Sequence, residues 1–150
     1  MKREILLVIG AVISILFLVF APQIYEMLYY SQAFSDWMYN QNMYLVVAIV
    51  VVLVVWILAL LYYKIIDSIR FSKWYHWLIM FFIAILLAPA VDIIYPNGVS
   101  AEDGIDYTTE LQNFAIINIA VTAVMFIIAS FSLCGFSINC KYVPVKIVKD

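Results

Sequence analysis

Charge is scarce in this chain, and positive charge is missing from whole connections. Only 12% of its residues are charged, while 67% are hydrophobic and the mean hydropathy is +1.06. A soluble domain carries about 25% charged and about 45–50% apolar residues. So little polar surface cannot clothe a water-facing protein, which excludes an ordinary soluble domain and points to a lipid bilayer. The single histidine, His76, excludes a metal site built on paired histidines. The two cysteines, Cys134 and Cys140, are not spaced C-x-x-C, so neither a thioredoxin-type redox pair nor a four-ligand zinc site is supported. Glycine is sparse, and no phosphate-binding loop or activated serine accompanies it. The expectation is therefore no enzyme, no cofactor, no metal and no nucleic-acid partner.

What is present is long apolar runs. A helix crossing the hydrocarbon core needs about 20 largely apolar residues, and four stretches qualify: about 5–21, 43–63, 77–94 and 114–135. The Val-rich second stretch has strand propensity, but its unbroken length and the need to satisfy the backbone in lipid require a helix. The first stretch resembles a secretory signal, with Lys2 and Arg3 ahead of an apolar run ending at Ala21. Pro22 directly after the cleavage-like position argues against processing, so it reads as a retained span. The fold class is an all-α polytopic membrane protein, a four-helix up-down bundle forming a single domain over 1–150. Outer segments cover 22–42 and 95–113, with a short loop at 64–76 and a tail at 136–150.

The missing positive charge sets the orientation. Lys2 and Arg3 precede span one. Lys64, Arg70 and Lys73 lie between spans two and three, and Lys141, Lys146 and Lys149 follow span four. The other two connections have no Lys or Arg, and they and the adjoining helix ends carry Glu26, Asp36, Asp92, Glu102, Asp103, Asp106 and Glu110. The positive-inside rule then puts both termini in the cytoplasm, where the cysteines would meet a reducing compartment. The aromatic residues of 23–44, Tyr25, Tyr29, Tyr30, Phe34, Trp37, Tyr39 and Tyr44, are expected at the outer headgroups. Trp74, Tyr75 and Trp77 would form the opposite belt, with His76 anchored among them.

Within lipid, small residues let helices approach and polar ones bond across them. In span four, Ala115, Asn118, Thr122, Met125, Ala129 and Ser132 recur in steps of three and four and share one face. Ile116, Ile117, Val124, Ile127, Ile128 and Phe131 are left for lipid. Gly10 and Ser14 form a small pair in span one, while span two looks lipid-exposed around much of its circumference. Asn118, Thr122 and Ser132 read as a polar packing seam, or alternatively as a pore lining in an oligomer. Asp92, three residues after Pro89 near the outer end of span three, is a candidate interfacial carboxylate or cation or proton site. Glu102, Asp103, Asp106 and Glu110 form an acidic outer loop that does not match the EF-hand pattern; it reads as a solvated loop, with calcium or a basic partner surface as the alternatives. The tail residues Lys141, Tyr142, Pro144, Lys146 and Lys149 suit an extended peptide that adds to a partner's sheet edge or rests on anionic headgroups.

Together these features suit a small non-catalytic subunit of a bacterial inner or plasma membrane. It would anchor or assemble a larger complex, with an envelope-spanning secretion or injection machine as one setting. Its partners would be the bilayer and either other membrane subunits or copies of itself. The alternative is a homo-oligomeric ion channel or holin-like pore.

Overall fold

The computed structural model describes residues 3–66, 70 and 73–137. Among them every element is helical: α1 (Arg3–Val19), α2 (Ala21–Leu28), α3 (Gln32–Asn40), α4 (Met43–Leu60), α5 (Trp74–Glu102) and α6 (Thr108–Cys134). Three helices are long and apolar enough to cross a membrane alone, namely α4 with its continuation to Ile65, α5 and α6. A fourth span exists if α1 and α2, bent by 72° at Phe20, count as one. The described residues thus hold three to four candidate membrane-spanning helices.

The bend follows from Pro22, which stands in the first turn of α2. Proline fits there because it has no N–H to contribute, and its ring keeps α2 from continuing α1 in line. The segment 22–42 is accordingly built of two short helices. Asn42 joins α3 to α4 in the left-handed region at φ 54°, a conformation that Asn tolerates better than bulkier residues.

Beyond Leu60 the backbone widens into a π-helical turn over Leu61–Ile65, closed by Ile66 N–H donating to the Leu61 carbonyl (2.9 Å). Along α4 a narrow stripe of Val47, Ala48, Val51, Val55 and Ala59 is buried, and the π turn adds both Tyr62 and Tyr63 to it. The rest of α4 leaves Leu45, Ile49, Leu53, Ile57 and Leu60 exposed, in line with a span lipid-facing over most of its girth.

α5 does not stop at Ile94. It carries Pro89 and Pro96, both buried, inside one continuous helix to Glu102; membrane helices tolerate proline where neighbouring helices and local adjustments satisfy the freed backbone groups. It ends at Gly104 (φ 73°), where Ile105 N–H bonds Ser100 O (2.9 Å) and Gly104 N–H bonds Ala101 O (3.1 Å). That pair of bonds is a Schellman cap, and it requires a residue at ease with positive φ. The second connection shrinks to a tight turn, and α6 starts at Thr108, ahead of the apolar run expected from about 114.

α6 is the hub, packing against α1, α4 and α5, and α4 also packs on α5. Its predicted inner face is buried throughout: Ala115, Asn118, Thr122, Met125, Ala129 and Ser132. Of the residues assigned to lipid, Ile116 and Val124 are exposed, whereas Ile127, Ile128 and Phe131 are half-buried against the core. With contacts on three other helices, α6 has a smaller lipid-facing arc than a helix at the rim of a bundle. A Cβ on Gly135 would sit 3.1 Å from the Arg3 side chain, so the start of α1 adjoins the end of α6. Both described ends therefore lie at one end of the bundle.

The outer aromatic residues correct the headgroup expectation. Tyr25, Phe34 and Tyr44 are essentially fully buried and Trp37 nearly so, whereas Tyr30 and Tyr39 are exposed. Tyr25 packs on Phe114 (centroids 5.0 Å) and stacks on Tyr44 (6.0 Å), and Phe34 and Trp37 meet Tyr107 at 5.5 and 5.4 Å. The bend at Phe20 folds α2 and α3 over the bundle, so their rings fill the end opposite the described termini instead of lining the lipid. Such pairs add about 0.5–1.5 kcal/mol each beyond area burial.

Candidate functional site: a polar seam inside the bundle

Among the described residues, three polar knots join the long helices. The one nearest the bend joins three elements. Tyr25 O–H from α2 donates to Asn118 Oδ1 (2.7 Å), and Asn118 Nδ2–H donates across to the Asp92 carboxylate on α5. Thr122, one turn along α6, turns its hydroxyl back onto the Asn118 carbonyl (2.7 Å). Asn118, Thr122 and Tyr25 have no exposed surface and Asp92 retains 3%. The Asn118 amide is thus doubly engaged, its oxygen by the phenol and its nitrogen by the carboxylate.

The second knot lies toward the other end. Ser130 on α6 receives the Trp77 indole N–H (2.7 Å) from α5 and shares a 2.7 Å hydrogen bond with the Tyr63 hydroxyl of the π turn. Trp77 is therefore inside the bundle, correcting its assignment to an interfacial belt. Trp74 and Tyr75 remain exposed, and His76 sits in the first turn of α5 with its ring against Tyr75. The π turn is what allows two successive tyrosines to face inward at this level.

The third knot closes α1. Trp56 N–H donates to Ser14 Oγ (2.9 Å), which in turn donates to the Gly10 carbonyl (2.9 Å). Gly10 is pressed on α6 so closely that a Cβ would overlap the Ser132 hydroxyl. Ser132 bonds its own helix at Ile128 O (2.7 Å). The small pair foreseen in span one is thus the surface on which α1 and α6 meet.

The acidic outer residues do not form one cluster. Asp103 receives Trp37 Nε1–H (3.1 Å) and Gln41 Nε2–H (3.4 Å), docking α3 on the end of α5, and Tyr107 O–H reaches Ala33 O (3.1 Å) from the other side. Asp106 receives both the backbone N–H (3.0 Å) and the hydroxyl (2.6 Å) of Thr108 at the start of α6. These bonds favour its charged form and hold its carboxyl below the usual range. Glu102 ends α5, and Glu110 occupies the first turn of α6, where its charge suits the helix dipole. Among the described residues no three His, Cys, Asp or Glu side chains gather to hold a metal.

From its position near the end of span three, Asp92 is a candidate interfacial carboxylate or ion site. It accepts from Asn118, inside the protein. Sequence reasoning missed Tyr25, which lies 93 residues from its partner, and missed Ser130 as the acceptor for Trp77. A buried Trp or Tyr requires a polar partner, so an unassigned Ser on an otherwise apolar helix was the available signal. Cys134 is disulfide-bonded. The chain's other cysteine, Cys140, and the tail residues Lys141, Tyr142, Pro144, Lys146 and Lys149 lie outside the described residues.

No family model matches this chain, and neither do any of the curated proteins or solved structures with which it was compared.

Proposed function

We propose that this protein is a non-catalytic membrane subunit, a self-contained helical anchor that presents a folded outer cap for assembly with partner subunits. The closed polar seam carries this reading. Asn118, Thr122 and Ser132 direct their side-chain hydrogen bonds into their own chain, so the face that would line an oligomeric pore is already occupied by α1, α2, α4 and α5. The cap supplies the surface for partners. Trp37–Asp103 and Tyr107–Ala33 fix α3 to the α5–α6 turn, and Asp36, Glu102, Asp103 and Asp106 are exposed there, far in sequence from any Lys or Arg.

The lysines and arginines favour a cytoplasmic location for both ends, in the inner or plasma membrane of a bacterium. The disulfide at Cys134 pulls the other way, because cytosolic thiols are kept reduced. The charge bias is spread over three separate segments and governs insertion, so we give it precedence. The bond at Cys134 should then open in the cell. Alkylation of the cysteines after acid quenching of cells and denaturation, with and without prior reduction, reads whether the bond is open.

Mass and composition of the complex extracted in mild detergent test the proposal. Defined partners in fixed ratio support it, whereas a closed ring of this chain alone overturns it. The second reading, a homo-oligomeric channel, draws on Asp92, since an ionisable side chain inside a spanning helix marks ion pathways by default. It requires Asn118→Leu or Asp92→Asn to change conductance in planar bilayers, and unchanged conductance removes it.

A further inference from the structure

A groove of about 310 Å³ lies in the crook of the 72° bend, bounded by the outer end of α1, α3 and the first turn of α4. This is the lower end of the range for small-molecule sites. Leu18, Val19, Pro22, Met38 and Leu45 make its apolar wall, and Tyr39, Asn42 and Tyr44 its polar end. Val19 and Leu45 are 63% and 42% exposed and belong to lipid-facing stretches of α1 and α4. In a bilayer the only abundant material against such side chains is acyl chain. Tyr44 keeps 1% of its surface exposed, and its hydroxyl is closed off inside the protein without a hydrogen bond of good geometry, Ser35 being close enough to act on it. The carboxylates Glu26 and Asp36, with Tyr30, act on this hydroxyl, and the connection from 22 to 42 contains no Lys or Arg.

We infer that the groove binds one phospholipid with a primary-amine zwitterionic headgroup. An acyl chain lies along Leu18, Val19 and Leu45, and the ammonium sits near Glu26 and Asp36. Tyr39 and Asn42 supply donors suited to the phosphate. An anionic headgroup meets two carboxylates and no compensating cation, so charge selects against it.

The full chain is reconstituted in nanodiscs of equal phosphatidylethanolamine and phosphatidylglycerol, then stripped in detergent and weighed by native mass spectrometry. The expected result is one retained phosphatidylethanolamine per chain, at least ten-fold over phosphatidylglycerol. Leu45→Trp, which fills the groove, should abolish retention, whereas Ile94→Trp on an exposed face of α5 should not. Val19→Trp gives the same test at a more exposed position if Leu45→Trp folds poorly. Glu26→Gln with Asp36→Asn should bring the two lipids to parity. Equal retention of both lipids by the wild type, retention unaffected by both groove-filling variants, or a second copy of the chain in place of lipid would each overturn the assignment.

Discussion

Asn118 on α6 and Asp92 on α5 are hydrogen-bonded across the most extensive helix interface of the bundle, and Tyr25 completes the arrangement from the far side of the bend. The amide stands between a donor and an acceptor, so it cannot be replaced without stranding both.

Asn118→Leu should therefore cost about 1–3 kcal/mol, the range for leaving buried polar groups unpaired. Tyr25→Phe, which strands only the Asn118 oxygen, should cost less. Adding Asp92→Leu to Asn118→Leu should recover part of the loss, because removing both partners of a bond is nearly neutral where removing one is not. Reversible unfolding in mixed micelles, read as a double-mutant cycle, checks the sign of the coupling.

The Gly10–Ser132 contact makes a steric prediction. Gly10→Ala drives a Cβ into the Ser132 hydroxyl and Cβ, and overpacking of this kind costs about 1–3 kcal/mol. Ser132→Gly opens that space, so the double variant Gly10→Ala with Ser132→Gly should regain most of the loss. Thermal unfolding of the two single variants and the double in the same detergent gives the comparison.

The two sites differ in how far the sequence disclosed them. The α6 face was legible because alternating steps of three and four in a lipid-bound helix separate small and polar residues from large apolar ones. Gly10 and Ser14 were legible on the same ground. The partner of Asn118 was not, since no local pattern reports that α2 swings back over the bundle. The bend itself is written only in Pro22, a residue that ends some helices and kinks others. The run through Pro96, Asn97 and Gly98 reads as a loop from local chemistry, yet α5 continues through it because tertiary packing outweighs those breakers. The aromatic residues of 23–44 suit either a headgroup belt or a core, and only the fold of α2 and α3 over Phe114 decides between them.

Ser130 serves two donors from two helices, so its removal should be felt at both. Ser130→Ala strands Trp77 Nε1–H and the Tyr63 hydroxyl, with an expected loss of about 1–3 kcal/mol. The local reporter is Trp77 fluorescence, in a background where Trp37, Trp56 and Trp74 are replaced by Phe. Its emission should shift when Ser130 is lost and stay put in Ser132→Ala, whose hydroxyl bonds only its own helix.

Asp106 gives the pH dependence at the start of α6. Its carboxyl accepts the Thr108 hydroxyl and backbone N–H, and this lowers its pKa. A group depressed in the folded state contributes stability that is fully present above its unfolded pKa of about 3.9, and that contribution is lost as pH falls through the folded value. The first turn of α6 should therefore keep constant protection from neutral pH down to about 4 and fray only below that. Asp106→Asn weakens the cap and removes this titration, while Asp106→Ala abolishes the cap at every pH. Hydrogen exchange at Thr108–Leu111 across this range distinguishes the three. Fraying of the wild type beginning near neutral pH would assign the cap to another group.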